Sequence, residues 1–325
     1  MNTGPAPGQA GDRNDARRID VHHHFLPPSY MKSIEDRLPP GRGRQRAAGW
    51  TPTADLEQMD AAGIALAISS VSIPGVWFGD VGLARRMARE WNEYAATVVG
   101  DHPGRFGFFA VIAPPDIEGS LIEIEYALEV LQADGIALMS NYDGRWLGDV
   151  EFLPIMSELN RRNAIVFVHP ASVSQGQTVP GIKSHILEGP FDTTRTIVSL
   201  LSNGVLSSCP DIRFVFAHGG GAIPYLAGRI AALSDRSGEM QPDRIYDQLR
   251  QLYFDTALAM NEPALAALTT FSSPSRILLG TDSPILSAEA EIGAWLNVGL
   301  DPNLRALIER DNAATLLRRG NTAHP

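Results

Sequence analysis

The sequence has 325 residues, 44% hydrophobic and 20% charged, which is ordinary globular usage and excludes disordered and fibrous classes. With 27 Lys and Arg against 37 Asp and Glu, the net charge is -10, the wrong sign for a nucleic-acid partner, whose affinity rests on clustered cations. The single cysteine, Cys209, rules out an intrachain disulfide and a four-thiolate metal site, and fits a reducing cytoplasm.

In chain order, residues 1–17 lack an apolar core of the secretory-signal kind and are rich in Gly, Pro, Asn and Asp, so a disordered N-terminal tail is expected. Nothing later approaches the roughly 18–20 apolar residues of a membrane span. A cytoplasmic chain with no membrane partner is expected.

From Ile19 a pattern sets in. Short apolar runs, IDVHHHF, IALAISSVS, FGFFAVIA, GIALMSNY, AIVFVHPA, RFVFAHGG, LYFDTALA and RILLGTDSP, alternate with stretches of helical periodicity. Continuous rather than alternating apolarity marks strands buried on both faces, the signature of a parallel sheet. Helices are expected over VGLARRMAREWNEYAATVV, IEGSLIEIEYALEVLQ, EFLPIMSELNRRN, DTTRTIVSLLSNGVLSS and EPALAALTTF. Eight strands so arranged predict a single-domain α/β fold, a (β/α)8 TIM barrel over residues 18–319, with 320–325 as a C-terminal tail. An open doubly wound sheet is the rival.

Two connections exceed the usual few residues. One runs from Leu26 to Thr53 and holds Arg42, Arg44 and Arg46; the other, SVSQGQTVPGIKSHILEGPF, follows the fifth strand. Long loops after strands 1 and 5 of a barrel belong to its C-terminal face, where such enzymes work.

The histidines fall at the same places. His22, His23 and His24 end strand one, His169 ends strand five and His218 ends strand six, while Asp282 ends strand eight. Residues at the carboxyl ends of barrel strands share one mouth. In a strand, His22 and His24 point to one side and His23 to the other. His22, His24, His169 and Asp282 together form a three-imidazole, one-carboxylate set suited to Zn, Mn or Fe. A carboxylate at Asp282 is costly to bury unless it meets a metal or a cation; a helix N-cap is the plainer alternative. His23 is expected to pack between barrel and helices, and Asp20 to be a buried supporting carboxylate.

His218, in FAHGGG, is expected to be catalytic or metal-adjacent, against the alternative of a satisfied barrel histidine. The Gly run after it is a weak anion signal, being neither a Walker loop nor GxGxxG. Arg229, further along that helix, suits either an anionic substrate or a surface ion pair. Arg46 offers a guanidinium fork for a carboxylate, and Trp50 and Trp77 an apolar wall, unless they merely pack.

These motifs carry a resemblance. DVHHH, VFVHP, FAHGGGAIPYLAGRI, LYFDTALA and GTDSP, in that order from Arg18 to about Arg318, resemble the metal-dependent amidohydrolase superfamily, in its aminocarboxymuconate-semialdehyde decarboxylase branch. GFFAVIAPPD, EIEYALEVLQADGIAL and WLGDVEFLPIMSELNRR are most similar to the 6-methylsalicylate decarboxylases. Ser283 departs from the branch, which commonly has an aromatic residue there. The resemblance implies metal ligands at His22, His24, His169 and Asp282, and a catalytic histidine at His218. It implies a carboxylate-binding Arg229, sometimes acting across a homodimer interface, and one divalent metal, Zn or Mn, without an organic cofactor.

The function expected is non-oxidative decarboxylation of an ortho-hydroxybenzoate, a small aromatic carboxylate such as 6-methylsalicylate. The ring is chelated to the metal, and the carboxylate-bearing carbon is protonated by Asp282 with His218 assisting. Substrate contacts are expected from Arg229, Trp50 and Arg46. The same ligands would also serve a hydrolase in which metal-activated water attacks a lactone, amide or C–C bond. A non-catalytic scaffold is the third possibility.

Overall fold

The computed structural model describes residues 18–37, 49–171, 179–237 and 242–317. Eight strands form one sheet: β1 (Arg18–His24), β2 (Ile64–Ser70), β3 (Phe106–Val111), β4 (Gly135–Met139), β5 (Ile165–His169), β6 (Arg213–Phe216), β7 (Tyr253–Asp255) and β8 (Ile277–Leu278). All neighbours pair in parallel, in chain order.

The rival open sheet is excluded by what happens at its edges. Val21 N donates to Leu279 O at 2.9 Å, Asp282 N to His22 O at 2.8 Å and His24 N to Ser283 O at 2.8 Å. The last strand therefore bonds back to the first, and the eight strands close into a TIM barrel.

Strand alternation divides the apolar residues into two cores. Ile19, Val21, Leu66, Ile68, Phe109, Ile165, Phe167, Val215 and Leu278 form one cluster, closed off by Ala313 and Leu316 of the last helix, Asn312–Leu317. The second and larger cluster joins residues such as Phe106, Phe108, Val166, Val168, Phe214 and Phe216 to the surrounding helices. Those helices begin where the sequence supplies caps: Thr51 accepts from Ala54 N ahead of Pro52–Ala61, Asp80 from Leu83 N ahead of Val81–Asp101, and Asp116 from Gly119 N ahead of Ile117–Glu125.

The two long connections hold more helix than their composition suggests. The segment after β1 forms a helix at Pro28–Ile34. After β5 the helix begins at Ser184 rather than Asp192 and runs to Ser202 through Pro190. Its burial of Thr193, Thr196, Ile197 and Leu200 outweighs the loss of one backbone donor at the proline. The first and last residues of the chain, Arg46 and its neighbours in 38–48, and 172–178 lie outside the described residues. No helix of the described residues is long and apolar enough to cross a membrane.

Candidate metal centre and active site

β1 is irregular against β2 between Asp20 and His23, but the period of two holds from His22 onward. The His22 and His24 rings meet edge to face at 5.1 Å. β5 adds His169, with its ring 5.2 Å from that of His22 and 5.1 Å from that of His24. The turn after β8 adds Asp282, and Gly280 makes the approach possible: a Cβ there would lie 2.7 Å from the Cβ of His22. One ligand atom from each of His22, His24, His169 and Asp282 lies within 4.8 Å of the others, and all four residues are buried.

The far side of each imidazole is already engaged. His24 Nδ1 lies 3.1 Å from Ser70 O and His169 Nδ1 2.9 Å from Pro170 O. A carbonyl only accepts, so both Nδ1 atoms carry the proton and both rings present Nε2 to the cluster. His22 Nδ1 is held in the same way, 2.7 Å from Asp255 Oδ2.

Burial holds His24 and His169 below the usual imidazole range, with neighbouring histidines adding to the effect. A neutral His24 protonated at Nδ1 directs a bare Nε2 at Asp282 Oδ1, 3.0 Å away. Two acceptors then face each other with no proton between them, which a cation satisfies. His22 Nε2 is buried without a hydrogen-bond partner, 3.4 Å from the same oxygen. Burial opposes charge on His22, but Asp255 and Asp282 outweigh it and push its pKa up to about 10. A divalent cation here would take the place of that proton. The donor set, three imidazole Nε2 atoms and one carboxylate, fits zinc or manganese.

Asp282 is the hub. Burial would raise its pKa, but His22, His218 and His24 together hold it well below the usual carboxylate range. It therefore rests as a carboxylate, and any proton it delivers must first be taken up. His22 and His24 are sealed, whereas the side chains of Asp282 and His218 keep 10% and 12% exposure. Among these residues the exposure is greatest on that side.

His218 follows β6 with φ +56, and Asp282 has φ +59. Two non-glycine residues in the left-handed region mark places where surrounding structure over-determines the backbone, as at functional sites. His218 Nε2 lies 3.7 Å from Asp282 Oδ2 and has no hydrogen-bond partner. The glycines after it serve this sharp turn rather than an anion: Gly219, Gly220 and Gly221 all have positive φ, and the amides of Gly220, Gly221 and Ala222 are bonded to Ala217 O, His218 O and Thr194 Oγ1.

Asp255, at the end of β7, had no role assigned from the sequence, yet it is fully buried at the centre of the site. Its Oδ2 holds His22, while its Oδ1 accepts from His218 N at 2.9 Å and from Ala257 N at 3.0 Å. The cue was present in LYFDTALA, where a carboxylate ends an apolar strand as Asp282 does. His23 does turn outward, but between two carboxylates: Nδ1 is 3.1 Å from Asp20 Oδ2 and Nε2 is 2.9 Å from Asp55 Oδ2. Asp20 also accepts from Thr281 Oγ1 at 2.5 Å and from Thr281 N at 3.1 Å, tying β1 to β8 behind Asp282.

The expected substrate contacts are more dispersed. Trp50 is buried in the main core, its ring 5.4 Å from Phe25 and 6.2 Å from Tyr94. Trp77 donates to Asp143 Oδ2 at 2.7 Å. Arg229 is exposed on the helix Ile223–Ser237 and pairs with no carboxylate among the described residues. Arg46 lies outside the described residues. Cys209 is buried.

Comparison with known proteins gives this geometry a context. The amidohydrolase family model matches residues 19–319. Decarboxylase macB of Penicillium terrestre is 37% identical over 289 residues, covering 84% of this chain and 85% of the relative. The 6-methylsalicylic acid decarboxylase acuB of Aspergillus aculeatus is 35% identical over 286 residues, covering 82% and 84%. Among solved structures, the fold is similar to that of 5-carboxyvanillate decarboxylase from Novosphingobium aromaticivorans, with bound manganese and 3-methoxy-4-hydroxy-5-nitrobenzoic acid, at a TM-score of 0.86 and 22% identity, covering 95% of this chain and 99% of that one.

Proposed function

The chain belongs to the amidohydrolase family, and on that basis we propose that it is a metal-dependent decarboxylase acting on an ortho-hydroxybenzoate of the 6-methylsalicylate kind. The observation that carries the reading is the place of Asp282: a carboxylate on the more exposed side of the cluster, facing the imidazoles of His22, His24 and His218. The decarboxylases named among the relatives, 35–37% identical over most of the chain, support the reaction class.

His22, His24, His169 and Asp282 are proposed to hold one zinc or manganese ion. When bound, the ion supplies positive charge against which the substrate's carboxylate and phenolic oxygens are oriented. The chain's own groups then move one proton. Asp282, unprotonated at rest, takes the phenolic proton and delivers it to the ring carbon bearing the carboxylate. The C–C bond to the carboxylate breaks, carbon dioxide leaves, and the electron pair returns to the ring and restores aromaticity. The phenolate product regains a proton from solvent. His218, 3.7 Å from Asp282, is placed to share that proton or to hold the phenolate.

Arg229 is proposed to meet the substrate carboxylate from a second copy of the chain. Tyr225, Arg229 and Leu233 lie four apart on one helix and are all exposed, Tyr225 to 86%. A homodimer formed over this face would cover them.

The test is product mass spectrometry after incubating zinc- or manganese-loaded protein with a panel of salicylates and aryl lactones in D2O. The expected result is loss of carbon dioxide from one salicylate, with one deuterium at the vacated carbon. Lactone hydrolysis with every salicylate untouched overturns the proposal.

A further inference from the structure

Ser140 follows β4 and touches the backbone twice where β5 ends. Ser140 N donates to His169 O at 2.8 Å, and Ser140 Oγ accepts from Ala171 N at 2.7 Å. One residue thus grips the chain on both sides of Pro170, directly after His169. The Ser140 hydroxyl in turn donates to Asp192 Oδ2, from the helix Ser184–Ser202. The same carboxylate accepts from Asn141 Nδ2 at 2.6 Å and from Trp146 Nε1 at 2.9 Å, one on each arm of the small ribbon Asn141–Tyr142 and Arg145–Trp146.

Asp192 is 2% exposed and Ser140 fully buried, and no Lys, Arg or His pairs with Asp192 among the described residues. A carboxylate buried without a cation is costly unless donors fill its oxygens. Three neutral donors fill it here. An apolar residue would close the same contact between helix and barrel at a lower desolvation cost. What the carboxylate adds is charge-assisted, and therefore stiff, hydrogen bonding to Ser140 and the ribbon together.

We propose that Asp192 is a positioning residue: acting through the Ser140 hydroxyl, it fixes the Pro170–Ala171 peptide, whose carbonyl holds His169 Nδ1 at 2.9 Å, and so sets the approach of His169 Nε2 to His22, His24 and Asp282. Its consequence for metal affinity rests on the functional reading above; its consequence for the His169 ring does not.

The experiment compares Ser140→Ala, Asp192→Asn, their double variant and Trp146→Phe in the full chain, by Mn2+ titration and by melting of the metal-free protein. Each of the first two is expected to weaken Mn2+ binding at least about tenfold, the scale on which supporting hydrogen bonds act on a metal site. The double variant is expected to lose no more than the worse single one, because both cut one chain of bonds. Trp146→Phe, which leaves Ser140 in place, keeps affinity within about twofold. Wild-type affinity in both single variants, or losses that add in the double, overturns the proposal, as does lowered apo stability with affinity unchanged. Should Asp192→Asn fail to fold, Ser140→Ala decides. If the wild-type protein binds no divalent metal, the functional reading falls and the clamp is read from the His169 Nδ1–H proton resonance. A shift of that resonance in Ser140→Ala supports the proposal, and an unmoved resonance overturns it.

Discussion

His22 Nδ1 and Asp255 Oδ2 lie 2.7 Å apart, both fully buried, joining β1 to β7 beneath the proposed metal centre. The bond fixes which nitrogen of His22 faces the cluster, and the other oxygen of the same carboxylate fixes the backbone of His218. Asp255→Asn therefore reaches two proposed functional residues at once. The expected result is Mn2+ affinity weakened roughly 10- to 100-fold, with the circular dichroism spectrum unchanged. Titration of the metal-free variant checks it, and wild-type affinity would remove Asp255 from the site.

How much of this was legible depended on what each residue needs from its neighbours. The barrel could be read because eight doubly buried strands leave continuous apolar runs. His22, His24, His169 and Asp282 could be read because strand ends in a barrel share one mouth. Asp255 and Asp55 could not be given partners, since a carboxylate bonded to a histidine more than thirty positions away leaves no local spacing. The helix start at Ser184 was hidden by Pro190, a local breaker overridden by burial of the face behind it. The roles of Arg229 and Trp50 depend on what approaches the surface, which no periodicity encodes.

Asp282 carries both a ligand role and a proton role, so Asp282→Asn is expected to keep the fold but remove turnover. The amide cannot take up the phenolic proton that the carboxylate accepts. A loss of at least about 10²-fold is expected for the proton role alone, read as carbon dioxide released per site. Wild-type turnover would sink the assignment.

His23 stands outside the chemistry but inside the fold. Burial opposes its charge, yet Asp55 and Asp20 raise its pKa to about 10 against 6.5 for an unperturbed imidazole. The folded state thus holds a proton that the unfolded chain releases above pH 6.5. The stability this adds is complete below that value and is lost as pH rises towards about 10. His23→Gln is expected to keep metal stoichiometry while destabilising the protein by about 3–5 kcal/mol, the cost of leaving buried carboxylates uncompensated. Urea unfolding at several pH values checks both statements: the gap between wild type and variant should narrow as the solution becomes alkaline. Loss of metal in the variant would show that His23, not a neighbour, belongs to the ligand set.

Metal uptake should itself release a proton. In the metal-free site His22 stays protonated up to a pH of about 10, and a cation must displace that proton to reach Nε2. Apparent Mn2+ affinity is therefore expected to rise about tenfold per pH unit through the neutral range. Chelation should also lower the melting temperature, since ligand at a hundred times its Kd adds about 2.7 kcal/mol. A pH-independent affinity would mean that His22 is already neutral in the metal-free site.

His218 separates the ion from the proton. Its Nε2 is 3.7 Å from Asp282 and it stands outside the four-ligand set formed among the described residues, so His218→Asn should leave Mn2+ affinity near that of the wild type. The asparagine keeps a polar side chain at the turn after β6 and tolerates the left-handed backbone there better than most residues. What it loses is an imidazole that can give or take a proton. Turnover is expected to fall by at least about 10²-fold, the usual scale for an acid–base partner, with the loss in kcat rather than in KM. A rise in KM alone would recast His218 as a binding residue, and retained turnover would leave Asp282 as the single proton carrier of the site.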